Sequence, residues 1–508
     1  MDDPAPDVSV ESSLVAYRSY VDDLVALLDR DADRVVLEDD DRTYTGGDFV
    51  ALIRQLTATL SRHGVTRGRR VALVAPITAT AIAARYAAAR LGASTVFCPD
   101  AGSPERLSIF LSRIDAKTLI VFPETGRAAG IGGDLQILAV GAVDGLDDLL
   151  DGPSPDADEH DVRSTVSGDD ECALVATGGT TGISKASIRT FDEYRRLVDL
   201  GPTPGRRQLV CTPLAYIAQT MVDTVLLGGG TVVLRDRFTP DVVIDAMEQT
   251  AVTHVALVEP LVVELVDSDR LPGADLSSVE AISHVGADAA PALRARLVDR
   301  VGRPVLVNPY GASEFGVVSA LSGDDYSASS PHLASSGRPL PVAEVAIVDD
   351  TGQPCAVGEV GHIRVHTRAQ AHGYSVAPAE SGFRDDGWFA TGDDGFFDDA
   401  GYLTIRGRAA DRREADGAGW YPVDVQQALC SHGLVRYAVA VPAPDGCATE
   451  FGAAVIADPT AEVTVALLSE FLAEIASQFA ETPLVLVDSM PTTEQGKPHR
   501  AAIGALLF

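Results

Sequence analysis

Residues 176–185, ATGGTTGISK, place glycines and hydroxyl side chains in front of a single lysine, Lys185. Glycine lets backbone N–H groups turn toward an anion, hydroxyl groups add donors, and a lysine adds a compact positive charge. This composition predicts a loop that holds phosphate groups. The Walker A pattern G-x-x-x-x-G-K-[ST] does not account for it, because Ile183 and Ser184 separate Gly182 from the lysine.

Lysine is scarce in this chain, since only Lys117, Lys185 and Lys497 occur among its 40 lysines and arginines. Two of these three lie in glycine-containing loops, the second being TTEQGKPHR at 492–500. Chance is one explanation for that placement. The functional explanation is that both loops need a flexible ammonium group, which a planar guanidinium cannot replace.

The bulk composition excludes several classes of partner. The 508 residues carry a formal net charge of −33, which repels nucleic acid and anionic membranes, so we expect neither as a partner. Six cysteines lack paired spacing, the first residues lack the apolar run of a signal peptide, and no apolar stretch approaches the roughly 18 residues of a membrane span. These features favour a soluble protein of the reducing cytoplasm.

Helical and strand patterns alternate through the first part of the chain. VALIRQLTATLSR (50–62) and TATAIAARYAAARLG (78–92) have the apolar spacing of helices. RGRRVALVAP (67–76) and KTLIVFP (117–123) have the short apolar runs of buried strands. This alternation predicts an α/β fold with parallel sheets covered by helices.

The pattern changes after about residue 335, where short alternating strands predict a small β-rich subdomain. The last stretch, of about 100 residues, is long enough to fold as a unit of its own. We therefore predict a large N-terminal body at 1–407, which includes the β-rich subdomain, and a small C-terminal α+β domain at 408–508.

Four more stretches follow the glycine-rich loop in the sequence. They are NPYGASEFG (308–316), SSGRPLP (335–341), FATGDDGFFDDAGYLTIRGR (389–408) and PTTEQGKPHR (491–500). In this order the five stretches resemble the motifs of the AMP-forming adenylating superfamily, which includes acyl-CoA synthetases, stand-alone adenylation enzymes and luciferases. The resemblance covers about residues 40–500. Each motif alone is a weak indication of the family, but their shared order and spacing make the resemblance specific.

The resemblance implies a site for ATP and Mg²⁺. Tyr310 would stack on adenine, Asp393 would accept the ribose hydroxyls with help from Arg408, and Glu314 would position Mg²⁺. Each of these residues also has an ordinary structural explanation, as core, turn residue or solvated acid. The residues implied to bind ATP are Thr177, Gly178, Gly179, Thr180, Thr181, Gly182, Lys185, Tyr310, Gly311, Ser313, Asp393 and Arg408.

The implied reaction joins a carboxylic acid to ATP, giving an acyl adenylate and pyrophosphate, and then transfers the acyl group to a thiol of coenzyme A or phosphopantetheine. Lys497 and Lys185 are the predicted catalytic residues: Lys497 would bridge the substrate carboxylate and the α-phosphate, and Lys185 would contact the leaving phosphates. In this family the C-terminal domain rotates between the two steps, so we expect a mobile domain with its hinge at Ala410 and Asp411.

The acyl pocket is expected along 212–222, 283–288 and 308–317, with Asp223 nearby. Its tyrosine, histidine and acid favour a small polar or aromatic carboxylic acid over a long fatty chain, although His284 alone has an equally good structural explanation. The predicted pocket residues are Tyr216, Ile217, His284, Gly286, Ala287 and Ala312.

Two departures from the family pattern leave the acyl acceptor open. Glu414 stands where many members carry a lysine that helps the second step, and Ala410 stands at a hinge position that is usually charged. An acyl or peptidyl carrier protein is one candidate partner, and a nonthiol nucleophile is the main alternative acceptor. A noncatalytic nucleotide-binding relic is the third alternative, but it would have no need of Lys497.

Overall fold

The computed structural model describes residues 17–40, 42–99, 102–131, 134–151, 162, 165–177, 185–286, 289–376, 381–415 and 418–508. The helices of these residues are α1 (Tyr20–Arg30), α2 (Gly46–Arg62), α3 (Ala79–Arg90), α4 (Pro104–Arg113), α5 (Phe191–Val198), α6 (Gln219–Leu227), α7 (Pro240–Thr250), α8 (Glu259–Asp267), α9 (Pro291–Val301), α10 (Pro422–Cys430), α11 (Val465–Ile475) and α12 (Arg500–Leu507).

The first strands in chain order are β1 (Val35–Glu38), β2 (Thr43–Thr45), β3 (Arg70–Leu73), β4 (Ser94–Phe97), β5 (Thr118–Val121), β6 (Gln136–Ala139), β7 (Glu171–Thr177), β8 (Lys185–Thr190), β9 (Arg207–Val210), β10 (Thr231–Leu234), β11 (His254–Val258), β12 (Ala281–Val285) and β13 (Leu306–Ala312). The remaining strands are β14 (Gly316–Ser322), β15 (Arg338–Pro339), β16 (Ala343–Val348), β17 (Gly361–Thr367), β18 (Gly373–Tyr374), β19 (Phe389–Phe397), β20 (Leu403–Arg408), β21 (Arg413–Ala415), β22 (Ala418–Trp420), β23 (Val435–Pro442), β24 (Phe451–Ala457) and β25 (Leu484–Leu486).

Two large sheets form the body of the protein. One has the strand order β15-β14-β13-β12-β11-β9-β10-β1-β2 and the other β18-β8-β7-β4-β3-β5-β6. Their central pairs are parallel, for example β3 with β4 and β11 with β12. Strands β16, β17, β19 and β20 form a separate antiparallel sheet. The predicted α/β fold with parallel sheets and a small β-rich subdomain is therefore confirmed.

Hydroxyl side chains start many of the helices. Ser19, Thr45 and Thr190 each accept a hydrogen bond from the backbone N–H three residues later, and an acid at that third position bonds back. This reciprocal pairing satisfies backbone donors that the first helical turn leaves open. The sequence therefore fixes where the helices begin as well as where their apolar faces lie.

Helix α3 is buried along its whole length, because the sequence ATAIAARYAAAR places small apolar residues on every side. It carries two buried arginines, Arg85 and Arg90, and Arg85 makes two hydrogen bonds to Asp223 on α6, at 2.9 and 2.8 Å. The hydroxyl groups of Tyr86 and Tyr194 also donate to Asp223. A buried charge pair needs such additional hydrogen bonds to offset its loss of solvation.

Strands β23, β24 and β25 form a further sheet near the end of the chain. Its apolar cluster is continuous with that of the body, since Leu293 and Leu297 of α9 belong to the same buried cluster as Val425 and Leu429 of α10. The division of the chain into domains at 1–407 and 408–508 stays a prediction. Within the described part of the chain, no helix is both long and apolar enough to cross a membrane.

Candidate functional site

The two ends of the predicted phosphate loop lie side by side. Thr177 ends β7 and Lys185 begins β8, and the two residues pair across the antiparallel ladder. The Lys185 ammonium lies 5.9 Å from the centre of the Tyr374 ring. The loop itself falls outside the described residues, and with it five predicted ATP-binding residues, Gly178, Gly179, Thr180, Thr181 and Gly182.

The structure brings together the residues predicted to bind adenosine. The Tyr310 hydroxyl at the end of β13 donates to Asp393 Oδ2 on β19 at 2.7 Å. Arg408 Nε at the end of β20 lies 3.3 Å from Asp393 Oδ1, and its Nη1 donates to the Thr391 carbonyl at 3.0 Å. Burial raises the pKa of Asp393, while Arg408 and the tyrosine hydroxyl lower it. A carboxylate has about four acceptor sites, so Asp393 keeps room for a ligand.

Glu314 lies in the turn between β13 and β14, next to these residues. Its Oε1 accepts a hydrogen bond from the Tyr374 hydroxyl at 2.9 Å, and its Oε2 accepts one from Ser313 Oγ at 3.0 Å. Both bonds hold the carboxylate in one orientation and leave further acceptor sites open. Within the described residues, no group of three or more His, Cys, Asp and Glu side chains is placed to hold a metal ion by itself.

Lys497 reaches the site from the far end of the chain. A Cβ atom placed on Gly286 would lie 2.6 Å from Lys497 Cε and 3.1 Å from its Nζ, so the absence of a side chain at Gly286 makes room for the lysine. Burial lowers the pKa of Lys497, the positive charge of Arg408 lowers it further, and Glu314 raises it. These influences show that the lysine shares its surroundings with two predicted nucleotide-site residues.

A cavity of about 1120 Å³ opens beside Lys497. A cavity of this size is ample for a drug-sized molecule. It is lined by most of the predicted pocket and by part of the predicted ATP site. Those lining residues are Thr177, Tyr216, Ile217, Gly286, Gly311, Ala312, Ser313 and Lys497. Ala287, another predicted pocket residue, lies outside the described residues.

Tyr216 joins the cavity to the loop that carries Lys497. Its hydroxyl donates to Glu494 Oε1 at 2.7 Å, three residues before the lysine. Tyr216 has non-helical backbone angles, φ −126° and ψ −132°, within a short π-helical turn at Leu214–Ala218. This kink ahead of α6 aims the phenol at the C-terminal loop.

The structure does not place His284 or Asp223 on the cavity wall. Strand side chains alternate between two faces, so Ser283 and Val285 line the cavity while His284 points the other way. His284 is fully buried, and its Nε2 lies 2.7 Å from the Tyr326 hydroxyl. Asp223 is fully buried against Arg85. Both side chains are therefore packed inside the protein, and neither lies at the acyl pocket as expected.

The predicted hinge lies in a short 3₁₀ turn at Ala409–Asp411, directly after β20. Asp411 Oδ2 accepts a hydrogen bond from Arg500 Nη2 at 2.5 Å, which ties the turn to the start of α12. Ala410 offers no polar side chain here. Glu414 lies on β21 with 71% of its side chain exposed and accepts a hydrogen bond from Arg412 at 3.1 Å.

Several cavity or site residues were missed from the sequence. Tyr374 and Glu494 contact predicted residues, and Arg206, Gln208 and His254 line the cavity. Glu494 sits inside a motif that was recognised, so its proximity to Lys497 was a usable signal. The other four become neighbours of the site only when distant strands pair.

An aromatic–carboxylate–guanidinium cluster and a half-buried lysine, both next to a large cavity, are the arrangement expected of an enzyme that activates carboxylic acids with ATP. Residues 26–375 match the sequence family described as AMP-binding enzyme, and the chain belongs to this family.

Curated relatives extend this match over almost the whole chain. Feruloyl-CoA synthase of an Amycolatopsis species is 30% identical over 460 residues, covering 88% of this chain and 90% of that protein. The medium/long-chain-fatty-acid–CoA ligase FadD8 of Mycobacterium tuberculosis is 28% identical over 516 residues, covering 95% of this chain and 89% of that protein. The predicted membership of the AMP-forming adenylating superfamily is confirmed.

Among solved structures, amide bond synthetase McbA from Marinactinospora thermotolerans is similar with a TM-score of 0.84 and 27% identity, covering 96% of this chain and 99% of that chain. Anthranilate CoA ligase AuaEII in complex with anthranoyl-AMP has the same TM-score at 22% identity, which supports the fold. The protein is an adenylate-forming ligase that uses ATP.

Proposed function

We propose that this ligase activates a small carboxylic acid as its acyl adenylate and then transfers the acyl group to the thiol of coenzyme A or of a carrier-bound phosphopantetheine. The observation that carries the proposal is the position of Lys497. Its ammonium lies over Gly286, at the junction between the acyl cavity and the Tyr310–Asp393 cluster. A cation at this junction is placed where a carboxylate would meet the α-phosphate.

In the first step, one oxygen of the substrate carboxylate forms a bond to the α-phosphorus of ATP. The bond between that phosphorus and the oxygen leading to the β-phosphate breaks, and pyrophosphate leaves with the electron pair. Negative charge builds on the oxygens around the α-phosphorus, and a positioned cation stabilises that charge. Lys497 has this role in the proposal, while Lys185 at the start of β8 contacts the leaving phosphates.

Glu314 is suited to hold Mg²⁺ together with the nucleotide. Mg²⁺ in nucleotide sites takes one or two carboxylates, phosphate oxygens and water. Glu314 supplies one oriented carboxylate with open acceptor sites, which fits this donor set. The ion would neutralise part of the phosphate charge, and the role of Glu314 is to fix its position.

The relatives support a thiol as acceptor. Feruloyl-CoA synthase and FadD8 are named for acyl-CoA products, and both cover most of this chain. Pyochelin synthase PchD of Pseudomonas aeruginosa, 28% identical over 502 residues, supports a carrier-bound thiol as a second possibility. The six cysteines, all unpaired, suit a reducing compartment, so we place the enzyme in the cytoplasm.

A nonthiol acceptor is the second candidate, because two observations favour it. The similar structure of McbA belongs to an amide bond synthetase. Glu414 presents an exposed carboxylate on β21, where the family resemblance leads us to expect a lysine. An amine would then take the acyl group from the adenylate and form an amide.

The test is pyrophosphate release from ATP across a panel of aryl, aliphatic and amino acids, with and without coenzyme A or a simple amine. Mass spectrometry identifies the acylated product. We expect Lys497→Ala to slow pyrophosphate release by about 10²- to 10³-fold, the usual effect of removing a group that stabilises transition-state charge. Lys117→Ala is the matched control, since Lys117 is exposed and pairs only with Asp115 in the described chain.

The products separate the candidates. A thioester formed only when a thiol is present supports the proposal, whereas an amide formed with no thioester assigns the enzyme to the nonthiol alternative. Equal rates for Lys497→Ala and Lys117→Ala would show that Lys497 does not take part in adenylation.

A further inference from the structure

The part of the acyl cavity at the amino-terminal ends of β9 and β11 is polar. Three side chains that line it form what we call the distal cluster: Arg206, Gln208 and His254. Gln208 on β9 and His254 on β11 are register partners in neighbouring parallel strands. Partners of this kind lie about 4.8 Å apart and point to the same face of the sheet, so the strand pairing itself assembles the cluster.

The strands also set how deep the cluster lies. His254 begins β11 and Val258 ends it, and both line the cavity. Four steps along a parallel strand span about 13 Å. Val258 and Val285 lie at the strand ends closest to Gly286 and Lys497, so the cavity runs down the sheet from the lysine to the distal cluster.

The contacts of Arg206 hold its guanidinium in place and leave part of it open. Its Nη2 and Nε donate to Gln208 Oε1 at 2.6 and 3.2 Å. Gln208 in turn donates from Nε2 to the Leu209 carbonyl at 3.0 Å. A guanidinium has five N–H donors, so Nη1 and the second hydrogen of Nη2 remain for a ligand.

The charge of Arg206 is not matched by an acid at contact distance. Among the described residues, no carboxylate lies within 4 Å of its guanidinium, and the exposed Glu280 acts only from farther away. Burial lowers the pKa of Arg206, which remains far above neutrality for a guanidinium. A partly desolvated cation without an ion pair favours a negatively charged ligand.

His254 is uncharged at neutral pH, as Gln208 is at any pH. Burial and the charge of Arg206 lower its pKa to about 4, so its ring is uncharged at neutral pH. Its Nδ1 lies 2.7 Å from the Thr253 hydroxyl, and Nε2 has no hydrogen-bond partner in the described part of the chain. The ring therefore adds a polar contact without a second charge.

We propose that the pocket takes a carboxylic acid with a second carboxylate at the end remote from the one that is adenylated, and that Arg206 binds this second group. This inference rests on the proposed function, because it concerns the acid that the same site activates. Gln208 orients the guanidinium of Arg206, and the uncharged ring of His254 adds a polar contact for the second carboxylate. The apolar side chains between the two ends, such as Met221 and Val258, would contact the middle of the acid.

The experiment compares octanedioic acid, its monoamide and octanoic acid, which differ only at the remote end. Pyrophosphate release gives kcat/KM for each acid, and calorimetry in the presence of ATP gives each affinity. We expect the diacid to be preferred to octanoic acid, and Arg206→Met to reduce that preference by about 10- to 100-fold, as loss of a charged hydrogen bond does.

Two further variants keep the result interpretable. Arg206→Lys retains the charge and should restore part of the preference, even if Arg206→Met lowers the melting temperature. Arg237→Met is the matched control, since the Arg237 side chain is 73% exposed, and its preference should equal that of the wild type.

Equal affinity for diacid and octanoic acid, or an equal preference in Arg206→Met, would overturn the inference. A monoamide that matches the diacid would also overturn it, because the pocket would then recognise a neutral acceptor. An enzyme that releases pyrophosphate from no acid would refute the proposed function, and the calorimetric preference would still decide the role of Arg206.

Discussion

Removing the hydrogen bond between Tyr216 and Glu494 should slow the first half-reaction and leave the second unchanged. The Tyr216 hydroxyl lies 2.7 Å from Glu494 Oε1, and Glu494 is three residues before Lys497 on the same loop. Tyr216→Phe removes the donor, and Glu494→Gln removes the charge of the acceptor. Both changes nearly preserve side-chain shape. Tyr216→Phe removes only the hydroxyl group, and Glu494→Gln replaces only one carboxylate oxygen by an amide nitrogen.

The expected size of the rate effect follows from how far the hydrogen bond between Tyr216 and Glu494 is exposed to water. A hydrogen bond to a charged group contributes about 1.5–3 kcal/mol when water is excluded. Glu494 is exposed, so water competes for its carboxylate and the contribution falls to about 1 kcal/mol. That free energy corresponds to a change of about fivefold in the ratio of molecules with Lys497 over Gly286 to molecules with the lysine elsewhere. Adenylation should therefore slow in each variant, by at most about fivefold.

The two half-reactions are measured separately. Exchange of labelled pyrophosphate into ATP reports adenylation, and consumption of a chemically supplied acyl adenylate reports the second step, in which Lys497 is not expected to act. The double variant should be no slower than Tyr216→Phe alone, because both changes act on the same bond. Glu481→Gln, which neutralises another exposed glutamate near the end of the chain, is the control for net charge.

If the two single effects multiply in the double variant, Tyr216 and Glu494 act independently and the reasoning is wrong. An equal loss in both half-reactions would refute it as well, because the bond would then serve general stability and not the placement of Lys497.

Three further predictions concern the nucleotide site, the core and pH. Asp393→Ala should weaken ATP binding by about 10- to 100-fold, because the ribose loses a charged acceptor; calorimetry that finds unchanged affinity would contradict the assignment. Asp223→Ala should lower the free energy of unfolding by about 3–5 kcal/mol, since it leaves Arg85 buried without its counter-charge; urea titration against the exposed control Asp236→Ala measures the difference. Burial lowers the pKa of His284 well below its usual value, so below about pH 6.5 the unfolded chain takes up a proton that the folded chain does not. The free energy of unfolding should therefore fall as pH drops, by up to about 1.4 kcal/mol per pH unit for this residue, and His284→Gln should show a shallower slope in urea titrations at a series of pH values.

Local elements were predictable from the sequence because their signals are local. Apolar spacing over 78–92 predicted α3, which spans Ala79–Arg90, and the apolar run at 117–123 predicted β5 at Thr118–Val121. The differences lie at the ends, where capping residues such as Thr78 decide the boundary. The order of strands in the two large sheets was not predictable, since it depends on which distant segments pair.

The same distinction applies to the site. Tyr310, Asp393 and Arg408 lie in motifs, and the structure brings them together. His284 does not line the cavity as predicted, because side chains alternate along β12 and its neighbours Ser283 and Val285 face the cavity. Arg206, like its neighbours in the distal cluster, gave no local signal, because a polar residue at the start of a strand is ordinary until another strand closes a cavity over it.

If Lys497 acts as proposed, ATP would take part in organising the site. The lysine is partly desolvated and lies near the positive charge of Arg408, and both influences lower its pKa. Burial and the charge of Arg408 therefore oppose the contact between Lys497 and Gly286, while bonds such as that between Arg500 and Asp411 favour it. The phosphates of ATP would reverse the sign of the electrostatic balance by adding negative charge next to the ammonium. Departure of pyrophosphate removes most of that charge, so the free energy that holds Lys497 in place decreases once its step is complete. The rotation that the family resemblance implies would still require the separation of α9 from α10 and the breaking of buried bonds such as the one that the Tyr421 hydroxyl donates to Asp394 at 2.8 Å.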